Sequence, residues 1–190
     1  MNNRCLVKNF IFTGTPGSGK TSVIKELEKN QYDVIHEAAT DTIIKEQAKG
    51  IKHPWESSNF IDSIIQMQKE RQINNTKDLQ FYDRSPFCTY ALGQYLSNKK
   101  NIGFTPSLVL LKEIERCLNN GVYQNKVFFF QNLGFIENTF ARKISFEDAL
   151  IFEQTHLDVY KKFDFDIIVV PKELTVKQRC EFILNYSQTF

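Results

Sequence analysis

Eight residues, Gly14-Thr15-Pro16-Gly17-Ser18-Gly19-Lys20-Thr21, match the pattern G-x-x-x-x-G-K-[ST]. No other segment restricts the fold so far. Glycines let the backbone turn tightly and bring its N–H groups against phosphate oxygens. A helix that opens at the end of such a loop aims its N-terminus at the same charge. Lys20 is long enough to reach β- and γ-phosphates, and the Thr21 hydroxyl can ligate Mg²⁺. The flanks agree: Leu6–Thr13 reads as an apolar strand, and Thr21–Asn30 as a helix with Val23, Ile24 and Leu27 on one face. The expected ligands are ATP and Mg²⁺, with Gly14 to Thr21 as the nucleotide-binding residues.

The rest of the chain continues in the same alternation. Short apolar runs at Asp33–His36, Leu79–Tyr82, Lys126–Phe130 and Asp166–Val170 are separated by helical stretches, the pattern of an α/β fold with a parallel sheet. Helices are expected over Glu37–Ala48, Ser58–Ile73, from Pro86 behind a Ser85 cap, from Pro106 or Ser107 to Asn119, from a Ser145 capping box to Lys162, and after Thr175. Gly50–Trp55 and Asn98–Thr105 read as loops. With 190 residues, 42% of them hydrophobic, the chain can bury one sizeable core, so 1–190 is read as a single domain. Gln131–Lys143 shows no clear period, and 131–145 is read as a lid.

Composition excludes some partners. A formal net charge of +2 argues neither for nucleic acid nor for an acidic membrane surface. No run reaches the length of a membrane span, and the apolar start of the chain is broken by Lys8 and Asn9. Cys5, Cys88, Cys117 and Cys180 are widely spaced, so buried thiols in a reducing, cytoplasmic setting are expected rather than a zinc or redox site.

Two further places carry chemistry. The third strand ends in Asp83-Arg84-Ser85. An acid there can hold Mg²⁺ or take a proton, and the guanidinium can clamp phosphate oxygens. The second strand runs into His36-Glu37, and a carboxylate at a strand's carboxyl end can accept a proton from an attacking hydroxyl. His36 and His156 read as structural. There is no N-K-x-D segment and no strand ending in Asp-Glu, which argues against a typical GTPase or a motor-like ATPase.

Taken together, Gly14–Thr21, Glu37-Ala38-Ala39 and Asp83-Arg84-Ser85 resemble the small AAA-type P-loop ATPase family, which is similar in pattern to nicotinamide riboside kinase domains and deoxynucleoside kinases. Phe146-Glu147-Asp148-Ala149, Tyr160, Asp166–Pro171, Val176, Arg179 and Phe182-Ile183-Leu184 extend the resemblance to the tail. It implies a kinase-like three-layer P-loop NTPase fold with strand order 2-3-1-4-5. It also implies Glu37 as base or substrate ligand, Asp83 near Mg²⁺, Arg84 near phosphates and Arg142 as the lid arginine, with Lys143 as the alternative. Arg179 falls in a segment near the adenine but reads as a solvated helix charge. One departure is Thr40, where the family usually has Arg. The helix bearing Phe60, Gln66, Gln68 and Arg71 faces the acceptor in such folds, although an amphipathic helix with a polar outer face explains it as well. His53-Pro54-Trp55 reads as an acceptor-side wall or a packed loop. The expected activity is phosphoryl transfer from ATP·Mg²⁺ to a small, nucleoside-like acceptor. The alternative is a nucleotide-dependent switch or slow NTP hydrolase acting on a protein or lipid partner.

Overall fold

The computed structural model describes residues 8–74, 77–134 and 144–188. Strands β1 (Lys8–Gly14), β2 (Asp33–Ile35), β3 (Leu79–Asp83), β4 (Lys126–Phe130) and β5 (Asp166–Val170) form one sheet in the order β2-β3-β1-β4-β5. Every neighbouring pair is parallel. Seven α-helices are found among the described residues: α1 (Lys20–Lys29), α2 (Ala39–Ala48), α3 (Phe60–Ile73), α4 (Pro86–Lys99), α5 (Leu108–Asn119), α6 (Phe146–Lys162) and α7 (Val176–Gln188). The fold is the expected three-layer P-loop sandwich.

Side chains alternate across the sheet, so one strand feeds two cores. Phe10 and Phe12 of β1 join Phe81, Phe128 and Phe130 beneath α1 and α7, with Val23, Ile24, Leu27, Cys180 and Ile183. Ile11, between them in sequence, and Val127 face the other core with Phe87, Ala91, Leu110, Ile114 and Tyr160. The Phe12 ring packs 5.3 Å from that of Phe81 and 5.2 Å from that of Phe130. These phenylalanines thus pack between the sheet and its helices.

Several helix starts follow local chemistry. Ser107 accepts from Leu110 N–H and Ser145 from Asp148 N–H, as side-chain caps do. Thr175 and Gln178 bond reciprocally at the start of α7. Ser85, expected to cap α4, makes no capping hydrogen bond; its hydroxyl lies 2.9 Å from Tyr160 Oη instead. β2 stops at Ile35 and α2 starts at Ala39, so His36–Ala38 form a short connection rather than a strand end and a first helical turn. Pro54–Glu56 add one 3₁₀ turn to the loop expected at Gly50–Trp55.

Register sets the site. Phe12 pairs with Asp83 and Gly14 with Phe130, so β3 ends beside the start of the glycine-rich loop. Ile35 pairs with Tyr82, and Glu37 and Arg84 each lie two residues beyond that pair.

Candidate nucleotide-binding site

The loop between β1 and α1 is shaped by positions only glycine fits. At Gly14 φ is 125°, and a Cβ there would meet Phe130 O at 2.2 Å. Gly19 sits at the N-cap of α1 with φ 80° and no side-chain cap, which leaves the first amides of the helix for an anion. Lys20 is buried, and its Nζ donates to Gly14 O and Thr15 O at 2.9 Å each and to Ser18 Oγ at 3.0 Å. Burial, and then the nearby Arg84 charge, pull its pKa down to about 7.

The acids stand where the register brings them. Arg84 has φ 78°, rare for a residue with a side chain, and its N–H donates to Phe12 O at 3.0 Å. That turn sends the guanidinium back across the strand ends. Its Nε donates to Glu37 Oε2 at 2.7 Å and its Nη1 to Gly14 O at 3.3 Å. Thr40 donates to the other oxygen of Glu37. Although burial opposes it, the Arg84 charge with these hydrogen bonds holds the Glu37 carboxyl at about 2. Asp83 is shifted the other way: burial, and then the Glu37 charge, raise its pKa. Its Oδ1 is buried without a hydrogen-bond partner, as is Thr15 Oγ1 in the loop.

These orphaned oxygens test the fit to the expected ligands. A buried carboxylate oxygen lacking a donor is suited to a cation, and Thr21 lines the same cavity as Asp83. One such oxygen beside a hydroxyl fits an ion such as Mg²⁺, which takes one or two protein ligands and the rest from phosphate and water. The cavity has a volume of about 820 Å³ and runs from Thr21 and Asp83 past Glu37 and Thr40 to Asp41 and Arg71.

The expected residues converge in part. Gly14 to Thr21, Glu37, Asp83 and Arg84 share one end of the sheet. Arg142 and Lys143 lie outside the described residues, as does most of the expected lid. Arg179 is corrected: it is 5% exposed rather than solvated, and it donates to Leu174 O, Lys172 O and Ser18 O at 3.1, 2.7 and 3.3 Å. On α3 the polar residues divide. Gln66 bonds Glu70 on the surface, Gln68 is buried against Thr89 Oγ1 at 3.2 Å, and Phe60 is core. Arg71 donates to His36 O and Glu37 O at 2.8 and 2.6 Å and pairs with Asp41, bracing the connection that carries Glu37. His36 is exposed and bonds Glu28; His53 and Trp55 lie against each other, exposed. His156 is buried, with Nδ1 2.8 Å from Phe152 O. Lys99, exposed at the end of α4, pairs with Asp148 at 2.7 Å. Asp41 carries no sequence signal of this role; nothing in local spacing links it to Arg71, thirty positions away.

A phosphate loop between a parallel strand and a helix, with an acid and an arginine closing the neighbouring strand, defines a P-loop protein of kinase-like fold. A family model described as an AAA domain matches residues 9–179, and the chain belongs to that family. No curated protein matches the sequence. Among solved structures, deoxyadenosine kinase from M. mycoides with bound dCTP is similar at 18% identity and a TM-score of 0.62, covering 97% of this chain and 100% of that one. The same enzyme with products dCMP and a flexible dCDP gives 17% identity and 0.61, over 96% of this chain and 100% of the other. With bound dATP it gives 16% and 0.54, over 95% and 99%. At these identities the likeness is one of fold. No helix among the described residues is long and apolar enough to cross a membrane.

Proposed function

We propose that residues 1–190 act as one nucleotide-binding domain that transfers the γ-phosphoryl group of ATP to a hydroxyl of a small, nucleoside-like acceptor. The observation that carries this is the Glu37–Arg84 pair, set at 2.7 Å, with Glu37 lining one cavity with Asp83 and Thr21. A switch needs the phosphate loop; it does not need a second carboxylate held by an enclosed guanidinium at the loop's edge. The deoxynucleotides bound by the similar kinase structures favour the nucleoside class.

In this proposal Gly14 to Thr21 bind the phosphates, and Lys20 leaves the loop carbonyls to donate to phosphate oxygens. Thr21 and Asp83 would hold Mg²⁺, which when bound would supply neutralisation of phosphate charge. Arg84 divides its donors between Glu37 and the transferred group. While Arg84 donates to it, Glu37 is ionised and a weak proton acceptor. As the guanidinium turns to phosphate, burial raises the carboxylate's proton affinity, and it takes the proton of the acceptor hydroxyl. On sequence grounds alone, Arg142 is assigned to the charge spread over the equatorial oxygens. A cytoplasmic setting belongs to the same proposal, in keeping with free thiols at Cys88, Cys117 and Cys180.

The test is a transfer screen with Mg²⁺, labelled ATP and a panel of deoxynucleosides, nicotinamide riboside and other small alcohols. Label on one acceptor, lost in Glu37→Gln, is the expected result. Tight nucleotide binding with slow hydrolysis and no labelled acceptor would overturn the kinase reading in favour of a switch.

A further inference from the structure

Arg179 is a buried arginine without a carboxylate partner among its described hydrogen bonds. All of these run to main-chain carbonyls: Lys172 O, Leu174 O and Ser18 O. Two of these belong to the turn between β5 and α7, and the third belongs to the phosphate loop. Its Nη1 lies 2.8 Å from where a Cβ on Gly19 would stand, so the guanidinium occupies the space that glycine leaves there. Burial lowers its pKa, yet the group stays a cation over the working range.

The peptide linking Ser18 to Gly19 is planar and trans. Its C=O and N–H therefore point in opposite directions. A donor on Ser18 O fixes the plane, and in fixing it aims Gly19 N–H away from Arg179. Lys20 Nζ holds the same residue from its other end, through Ser18 Oγ at 3.0 Å. Once Lys20 leaves for a phosphate, Arg179 is the described side-chain contact that still holds this peptide.

We propose that Arg179 is a positioning residue of the phosphate site: from the C-terminal helix it clamps the Ser18–Gly19 peptide so that Gly19 N–H donates to a phosphate oxygen. It touches the loop from behind and makes no contact with the reacting atoms. This rests on the phosphate-binding reading of the loop. It assigns the C-terminal turn and α7 to nucleotide affinity through the polyphosphate rather than through the base.

The experiment compares ATP with inorganic tripolyphosphate, both with Mg²⁺, on the full chain. Calorimetry would be run on wild type, Lys20→Ala, Arg179→Lys and Arg179→Ala. The expected result is a loss of about tenfold in affinity for both ligands in Arg179→Ala, the order of one charge-assisted hydrogen bond. Arg179→Lys, which keeps the buried charge and the fold but reaches fewer carbonyls, should lose less, again equally for both ligands. In the same Lys variant the amide ¹⁵N shift of Gly19 on adding tripolyphosphate should shrink relative to wild type. A purely structural role would leave that ligand-induced shift unchanged in the folded Lys variant, and this outcome would overturn the inference. Weakened ATP with unaltered tripolyphosphate binding would overturn it too, moving Arg179 to the nucleoside. If neither ligand binds wild type, the phosphate-loop reading fails first and this inference falls with it; wild-type binding lost in Lys20→Ala but retained in both Arg179 variants rejects the inference alone.

Discussion

Arg84 reaches Glu37 across the carboxyl ends of β3 and β2, Nε to Oε2 at 2.7 Å, from a backbone held at φ 78°. The left-handed turn and the ion pair depend on each other. An extended or helical residue at that position would aim its side chain elsewhere, and without a carboxylate the guanidinium would be enclosed with fewer partners. Strained backbone of this kind persists where surrounding contacts over-determine it.

Strain and ion pair can be separated. Arg84→Gly and Arg84→Ala both delete the pair, but only alanine keeps a Cβ in the left-handed region. The glycine variant is expected to be more stable by about 1 kcal/mol, the difference between that penalty and glycine's larger unfolded-state entropy. Urea titration of both variants checks the order; an alanine variant as stable as the glycine one would contradict it.

Removing only the acid leaves Arg84 enclosed with a weaker partner. Glu37→Gln should destabilise the fold by about 2 kcal/mol, keep most ATP affinity and lose transfer. Retained full transfer would assign proton acceptance to Asp83, whose carboxyl is already shifted towards higher proton affinity. Stability and transfer measured on one preparation separate the two effects.

Lys20→Ala should abolish most affinity for ATP and GTP, because it removes the loop's buried ammonium and the Ser18 contact together. Calorimetry showing unchanged binding of either nucleotide would refute the assignment of the loop.

Proton uptake offers a second view of the same lysine. Lys20 titrates near 7 in the nucleotide-free protein, and a bound polyphosphate raises that value. Below 7 the group is already charged, so binding takes up little. Above 7 it is neutral before binding and charged after, so binding takes up as much as one proton and affinity falls as pH rises. Calorimetry at about pH 8.5 in two buffers of different ionisation enthalpy measures the uptake. Absence of uptake would mean that Lys20 does not meet the phosphates.

Acid should destabilise the protein through His156. Burial, then the Arg84 charge, lower its pKa to about 3, so the folded state resists a proton that the unfolded chain accepts near 6.5. Its contribution is complete above the unfolded value and is lost as pH falls through the window from 6.5 to 3, with a cost of about 2 kcal/mol by pH 5. Glu37 acts in the same direction at lower pH and Asp83 in the opposite one. His156→Gln isolates the histidine: the stability difference from wild type should shift by that amount between neutrality and pH 5.

Legibility in the sequence followed the range of the interaction. The phosphate loop, the five apolar runs and the Ser145 cap were readable because each depends on residues within one turn of chain. The strand order came with the family resemblance. Ser85 had the pattern of a cap but not the bond, because Tyr160, seventy-five residues on, brings a hydroxyl to it inside the core.

Arg179 looked like one more charge on a helix for the same reason; its three carbonyl partners are backbone groups, which carry no sequence signal, and Ser18 is 161 positions away. So the local pattern determined that this chain makes a parallel sheet with a phosphate loop at one edge of its first helix. The tertiary structure decided which carboxylate is held ionised, which is pushed towards its acid form, and which arginine is enclosed. Those outcomes depend on strand register and burial, and a pKa or a peptide orientation is set by everything packed around it rather than by the residue that bears it.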